Sequence, residues 1–305
     1  MGRYLYKRLL QVPLVLFILV TVSFLLAHAA PGGPFDTEKR VDPEIKAKLE
    51  EKYGLNQPLP VQYLMFLKNL AKLDLGISFK NKTLTVNEII RDRGPVSALL
   101  GISAMLLAVM LGLTAGVIAA IRQNSKWDYG SMAIAMIGLS VPTFVVGPLL
   151  ALIFGMWLDW LPVAELKGPS SLILPAFTLS LPFAARIARL TRAGMLEVVH
   201  QDYIRTAWAK GLTERVIVIR HAMRGGLLPV VSFLGPATAE ILTGSLVVER
   251  VFGLPGIGRE FVESALGRDY TVVMGMVILF GTLLVVFNLL VDILYGFLDP
   301  RIRYA

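Results

Sequence analysis

Few side chains in this 305-residue chain could carry out covalent chemistry. The chain contains no cysteine, which excludes disulfides, thiol catalysis and cysteine-ligated metals. Its three histidines, His28, His200 and His221, are too dispersed along the chain to predict a metal site. No Gly-x-x-x-x-Gly-Lys-Ser/Thr phosphate loop occurs, so we do not expect the chain to hydrolyse ATP itself. No residues nominate a Ser/His/Asp triad, and we therefore do not expect the chain to be an enzyme.

The composition indicates an all-α integral membrane protein. Hydrophobic residues make up 55% of the chain, and the mean hydropathy is +0.65. The apolar residues fall in blocks of about 20, long enough to cross about 30 Å of hydrocarbon as helices. The net charge of +8 is explained by basic cytoplasmic loops, so a nucleic-acid partner is not predicted.

The blocks divide the chain into about six transmembrane helices, with both termini predicted to be cytoplasmic. The predicted spans are 9–30, 95–121, 129–157, 171–196, 226–248 and 270–298. The corresponding units are a first helix (1–30), an extracytoplasmic segment with short helices (31–94), a five-helix core (95–298) and a cytoplasmic tail (299–305). Ala27-His28-Ala29 resembles a cleavage site, but the first apolar run exceeds the usual signal core of about 7–15 residues. We interpret it as an uncleaved helix.

The segment 31–94 contains two patterns typical of short amphipathic helices. The first begins at Asp42-Pro43-Glu44 and places Ile45, Leu49 and Tyr53 on one face. The second places Tyr63, Phe66, Leu67 and Leu70 on one face. Two arrangements fit these patterns: helices that cap the outer mouth of the bundle, or helices packed only on each other.

Polar residues inside the predicted spans are candidates for a translocation pathway. Glu240 lies in the fifth span, and Asn288 and Asp292 lie in the sixth. An intramembrane carboxylate is costly unless it is paired or faces water. For Glu240 we favour a polar cavity, and for Asp292 we favour structural pairing near the inner boundary. Three further charges, spaced by three residues, are expected to snorkel or to pair with the central loop: Arg186, Arg189 and Arg192.

Five prolines in the spans are expected to kink helices by removing backbone hydrogen bonds. They are Pro142, Pro175, Pro182, Pro229 and Pro236. Kinked helices around a cavity suit a bundle that alternates between two openings. Static packing is the alternative interpretation of the same residues.

The polar stretch 197–225, between the fourth and fifth spans, is predicted to be cytoplasmic. From 197 to 224 it has five cations and three anions. Tyr203, Ile204, Ala207 and Trp208 recur at helical spacing and would form one apolar face, and Gly211 would end that helix. A second helical run follows at 216–223. The stretch could be an interfacial helix on anionic lipid, or a knob that inserts into a partner's groove.

The residues 205–211, Arg-Thr-Ala-Trp-Ala-Lys-Gly, resemble the "EAA" loop of binding-protein-dependent ABC import permeases. Arg205 and Thr206 replace the Glu and Ala of the general consensus, as in the oligopeptide, dipeptide and nickel branch. The resemblance covers almost the whole chain, including Asp-Leu-Gly at 74–76 and Gly-Leu-Pro-Gly-Ile-Gly at 253–258. It implies a type I ABC importer permease fold in the bacterial inner membrane. It also implies that the ATPase is contacted by Asp202, Tyr203, Arg205, Thr206, Ala207, Trp208, Ala209, Lys210 and Gly211.

The resemblance further implies four partners: a second homologous permease, two cytoplasmic ABC ATPase subunits that bind ATP and Mg, and an extracytoplasmic peptide-binding protein. The implied cargo is a peptide; dipeptides, nickel, cell-wall peptides and peptide-like antibiotics are alternatives within the family. Outside the family, two rivals stay open on the residues alone. One is a proton-coupled carrier that uses Glu240 or Asp292, and the other is an ion channel.

Overall fold

The computed structural model describes residues 2–29, 51, 54–81, 83–163, 166–243 and 245–298, and in this part of the chain the regular secondary structure is helical. The α-helices are α1 Gly2–Ala29, α2 Leu59–Leu70, α3 Val86–Ile121, α4 Lys126–Ser140, α5 Thr143–Leu150, α6 Ile173–Val199, α7 Asp202–Ala209, α8 Glu214–Val216, α9 Met223–Gly226, α10 Leu228–Thr243, α11 Leu246–Val251, α12 Ile257–Leu266 and α13 Tyr270–Leu298. Two π-helical stretches, Ala151–Trp157 and Ile217–Ala222, continue α5 and join α8 to α9.

Five described helical segments are long and apolar enough to cross a membrane, and the pair α4–α5 makes a sixth if it is one span. The prediction of an all-α protein with about six spans is confirmed. The span made by the α4–α5 pair is unusual, because α4 and the helix that starts at Thr143 are bent by 104° relative to each other. Val141, just before Pro142, takes an extended conformation, since proline disfavours the helical conformation of the residue that precedes it.

The predicted proline kinks are only partly present. Pro182 and Pro236 lie inside α6 and α10, where each removes a helical hydrogen bond. Pro142 caps α5 at the bend. The expectation is wrong for Pro175 and Pro229, because both lie in the first turn of a helix, where an amide N–H has no helical partner to lose.

The second span begins at Val86, earlier than the predicted start at 95. The cause is a capping box, which the pattern of apolar residues does not reveal. Thr85 Oγ1 accepts a hydrogen bond from the Glu88 amide (3.2 Å), and the Thr85 amide donates to Glu88 Oε2 (2.7 Å). Pro95 therefore lies inside α3 and does not start it.

The centre of the bundle is the contact between α3 and α6, which two glycines bring close together. A Cβ atom at Gly112 would lie 2.8 Å from the Ala184 carbonyl oxygen, and one at Gly116 would lie 2.5 Å from that of Ala188. Small residues let helix backbones approach closely, which strengthens the van der Waals packing between helices in lipid. The spacing Gly112-x-x-x-Gly116 thus marks packing.

The helix α2, in the segment predicted to be extracytoplasmic, packs on α1. Tyr63 and Phe66 lie 5.2 and 5.8 Å from the ring of Phe24 on α1, measured between ring centroids. The Tyr63 hydroxyl is 2.6 Å from Thr21 Oγ1. These contacts contradict the arrangement in which α2 would pack only on another short helix. The helix predicted from Asp42-Pro43-Glu44, with Ile45, Leu49 and Tyr53, lies outside the described residues, as does the tail 299–305.

Candidate functional site

The stretch between α6 and α10 forms a compact knob, residues 202–213, at one end of the bundle. Ile204 and Ala207 are buried, with 1% and 4% of their surface exposed. They pack with Ala120 at the end of α3, Met195 near the end of α6 and Ile217 in the π-helical stretch. The knob is therefore fixed to the ends of the two helices that form the centre of the bundle.

The predicted apolar face of α7 divides into a buried part and an exposed part. Tyr203 and Trp208 lie beside the buried pair, with 47% and 52% of their surface exposed. Partial burial raises the pKa of the Tyr203 phenol above its ordinary value. The remaining predicted coupling residues are exposed, apart from the buried Ala207: Asp202, Arg205, Thr206, Ala209, Lys210 and Gly211. A long ion pair joins Arg205 to Asp202 (3.8 Å) at the solvent surface.

A glycine ends α7 as the sequence predicts. Gly211 has a φ of +74°, a left-handed conformation that favours glycine. Its amide donates to the Trp208 carbonyl oxygen (2.9 Å), and the Leu212 amide donates to the Ala207 carbonyl oxygen (3.4 Å). This pair of hydrogen bonds is a Schellman motif, and Leu212 packs against the same buried cluster as Ala207. The motif sets the direction in which the chain leaves the knob.

A buried ion pair ties together the helices beside the knob. Arg192 on α6 donates to Asp128 on α4 through Nε (2.6 Å to Oδ1) and Nη2 (2.8 Å to Oδ2). Asp128 Oδ2 also accepts from the Asn124 amide (3.0 Å). The expectation that Arg192 snorkels or pairs with the central loop is therefore wrong. A bidentate contact of this kind fixes both the position and the orientation of the two side chains.

Glu240 forms an ion pair on the outside of the described bundle. Its Oε2 atom lies 3.4 Å from Nη1 of Arg186 on α6, and both side chains are substantially exposed, at 56% and 40%. Arg186 thus also has a partner outside the central loop, contrary to the prediction. An exposed pair within two apolar spans must face water or another protein, because lipid would not solvate it.

The other two pathway candidates lie elsewhere. Asn288 is half-buried and borders a small groove of about 190 Å³ between α13 and α1, together with Gln11 and Val12. Asp292 lies in the same helix, but its side chain is outside the described residues. The structure therefore does not place Asn288 with Glu240.

The sequence gives no direct signal for a buried carboxylate at the opposite end of the bundle. Glu249, which directly follows the predicted span 226–248, is fully buried in α11. It accepts hydrogen bonds from Ser97 Oγ (2.6 Å), Ser245 Oγ (2.5 Å) and the Arg259 amide (3.0 Å). A Cβ atom at Gly256 would lie 2.3 Å from the Glu249 carboxylate carbon. Gly256 and Gly258 therefore lie against the carboxylate. A glycine-rich segment just after a glutamate is the signal that could have located it.

A second buried carboxylate, Asp269, precedes α13. It accepts from Ser78 Oγ (2.5 Å) and from the amides of Phe79 (3.2 Å) and Val272 (3.3 Å). Together, Glu249 and Asp269 join segments that are far apart in sequence at one end of the bundle. Hydroxyl and amide donors satisfy both buried carboxylates, which therefore hold these segments together.

Comparison with known proteins places these features in a family. The model of the "Binding-protein-dependent transport system inner membrane component" matches residues 112–304, and a model of the N-terminal part of such membrane components matches residues 1–101. The chain is 50% identical to oligopeptide transport system permease proteins OppB of Haemophilus influenzae and Escherichia coli K12, over 100% of each chain. It is 42% identical to the dipeptide transport system permease protein DppB of Bacillus subtilis, over 99% of this chain and 98% of that protein.

Two solved structures have the same fold at low identity. The MetNI methionine ABC transporter in inward-facing conformations matches with a TM-score of 0.60 and 17% identity, over 69% of this chain and 96% of that chain. An amino acid ABC transporter matches with a TM-score of 0.51 and 16% identity, over 66% and 89% of the two chains. At these identities the likeness concerns the fold alone.

Proposed function

Because the chain belongs to the family of binding-protein-dependent transport inner membrane components, we propose that it forms half of the translocation pathway of an ATP-driven peptide importer. The protein is a multi-pass component of the bacterial inner membrane. The observation that carries the peptide cargo is the 50% identity, over the full length, to permeases named for oligopeptide transport. The 42% identity to a dipeptide permease supports the same class of substrate.

The chain works with four partners in this proposal. It has no phosphate loop, so ATP and Mg are bound by two cytoplasmic ATPase subunits. A second homologous permease completes the pathway, and an extracytoplasmic peptide-binding protein delivers the cargo. Both termini and the knob lie on the cytoplasmic side, which agrees with the excess of cations in the segment 197–224.

The knob couples the ATPases to the bundle. Its exposed residues, above all Tyr203, Trp208 and Lys210, enter a groove on one ATPase subunit. Its buried residues, Ile204 and Ala207, contact the ends of α3 and α6. Movement of the ATPases on binding ATP is therefore passed directly to the central helix pair, and the bundle reopens outward; hydrolysis resets it.

The Arg186–Glu240 pair borders the pathway in this proposal. A peptide has a cationic and an anionic terminus, and the two exposed charges complement both of them weakly. Weak complementarity permits release, which a conduit requires. Asn288, which borders the groove toward α1, and Asp292, four residues further along α13, remain pathway candidates.

The proposal is tested by purifying the tagged chain from its native membrane in a mild detergent and identifying what copurifies. We expect a second permease of similar size and ATPase subunits. The proposal fails if the chain purifies alone and moves substrate into liposomes under a proton gradient without ATP.

A further inference from the structure

A long groove lies on the side of the bundle between α3, α4 and α6. It has a volume of about 810 Å³ and opens on the exposed face of α4. Small or apolar residues form its floor and walls, including Gly130, Ala135, Gly138, Phe177, Leu181 and Ala185. It is separate from the knob and from the Arg186–Glu240 pair, so neither feature accounts for it.

Apart from Lys126 and Trp127 at one end, the residues that line this groove offer little to a polar ligand. Thr114 and Ser131 are its hydroxyl-bearing residues, and both hydroxyls already donate within their own helices. Thr114 Oγ1 donates to the Met110 carbonyl oxygen (2.7 Å), and Ser131 Oγ donates to that of Trp127 (2.6 Å). A peptide would lose hydrogen bonds to water here without replacement, whereas a hydrocarbon chain would not. The groove therefore suits an apolar occupant along most of its length.

One end of the groove is cationic. Lys126 and Trp127 line it there, and the guanidinium carbon of Arg122 lies 5.9 Å from the centre of the Trp127 ring. Neither cation has an ion pair with a carboxylate among the described residues. The adjoining carboxylate, Asp128, is held by Arg192. Two cations beside a half-exposed tryptophan are therefore available to an anion at the level of lipid headgroups.

The position and length of the groove match one membrane leaflet. Ala120, two residues before Arg122, packs in the same buried cluster as the knob, so the cationic end lies on the side that we propose to be cytoplasmic. From Lys126 to Gly138 the axis of α4 rises about 18 Å, close to half of the roughly 30 Å hydrocarbon thickness of a bilayer.

We propose that this groove binds an anionic phospholipid of the cytoplasmic leaflet. Its phosphate contacts Lys126 and Arg122, and one acyl chain lies along the small residues of α4 and α6. Only the choice of leaflet rests on the proposed function; the chemistry of the site does not. Because the lipid contacts three helices, two of which hold the knob, its binding stabilises the end of the bundle that carries the knob.

Trp127 is the position for direct capture, because 62% of its surface is exposed at the cationic end. The purified complex with Trp127→p-benzoylphenylalanine is placed in nanodiscs of equal parts phosphatidylglycerol and phosphatidylcholine, irradiated and analysed by mass spectrometry. We expect phosphatidylglycerol to be the main adduct. An adduct with a second protein chain would assign the groove to a partner's helix and overturn the proposal. Adducts of both lipids in bilayer proportion would also overturn it.

Two further variants remove the site in different ways. Gly130 lines the groove and a Cβ atom there meets nothing within 4 Å, so Gly130→Phe is chosen to fill the groove. The double variant Arg122→Gln with Lys126→Gln keeps the groove and removes its charge. We expect the double variant to retain phosphatidylglycerol roughly thirtyfold less well, from about 1 kcal/mol for each cation.

The matched controls lie in the outer segments. Gly168 also has open space around its Cβ position, and Lys72 is an exposed cation, so Gly168→Phe and Lys72→Gln should leave lipid retention unchanged. If both groove variants retain as much phosphatidylglycerol as the unaltered chain, the site is refuted. Since the measured quantity is bound lipid, this result is distinct from a failure to find ATPase partners, which would refute the proposed function instead.

Discussion

Gly211 allows the proposed coupling role of the knob to be tested by backbone strain alone. Its φ is +74°, and a Cβ atom there would meet nothing within 4 Å, so the cost of replacement is purely conformational. Alanine in this left-handed conformation costs about 1–2 kcal/mol. The ratio of molecules with the Schellman motif formed to molecules without it therefore falls by roughly tenfold. Asparagine tolerates the conformation better. Proline cannot adopt the left-handed conformation. It also lacks the amide N–H that donates a hydrogen bond to the Trp208 carbonyl oxygen, so we expect a cost of about 3 kcal/mol.

ATP hydrolysis and peptide uptake are measured together in proteoliposomes for Gly211→Asn, Gly211→Ala and Gly211→Pro. We expect the peptide imported per ATP to fall in that order, while thermal unfolding of the spans changes little. Gly54 is the matched control: its φ is +67°, its Cβ position is open, and its amide donates to the Glu51 carbonyl oxygen (3.1 Å). The reasoning is refuted if Gly211→Pro imports like the unaltered chain, or if Gly54→Pro uncouples equally.

Three other substitutions test the knob and its supports. Trp208→Asp should leave the fold intact, since the ring is half-exposed, but should abolish copurification of the ATPase. The control Trp160→Asp should still copurify the ATPase, and equal recovery of the ATPase with both variants would exclude Trp208 from the contact. Glu249→Ala leaves two hydroxyls and an amide without their acceptor, so we expect a loss of about 2–4 kcal/mol and a lower midpoint of thermal unfolding; an unchanged midpoint would contradict the buried network. Asp128→Asn should destabilise the chain by about 3 kcal/mol, and adding Arg192→Gln should recover part of it; additive losses would show that the ion pair is not coupled.

The features that follow from local periodicity could be predicted. Apolar runs of sufficient length located the spans, and helical spacing followed by a glycine located α7 and its end at Gly211. These signals depend on residues that are neighbours along the chain. The knob was therefore recognised, but its division into buried and exposed residues was not, because burial depends on the ends of α3 and α6.

The features that depend on distant residues could not be predicted. Arg192 and Asp128 are 64 positions apart, and Arg186 and Glu240 are 54 apart, so only the fold brings these charges together. Glu249 is 152 positions from Ser97, the residue that donates to its carboxylate. From hydropathy alone, an acidic residue after an apolar run reads as the start of a loop. Here three donors and a glycine-rich turn offset the cost of burying it.

The most direct test of the central claim is peptide uptake by proteoliposomes that contain the purified complex, with either ATP or a proton gradient as the energy source. In a defined fraction of the vesicles the ATPase subunits face the outer solution. ATP added to that solution therefore energises only these complexes. We predict accumulation that requires ATP and the peptide-binding protein and is lost with Gly211→Pro. Accumulation driven by the proton gradient without ATP, and abolished by Glu240→Gln, would contradict the account.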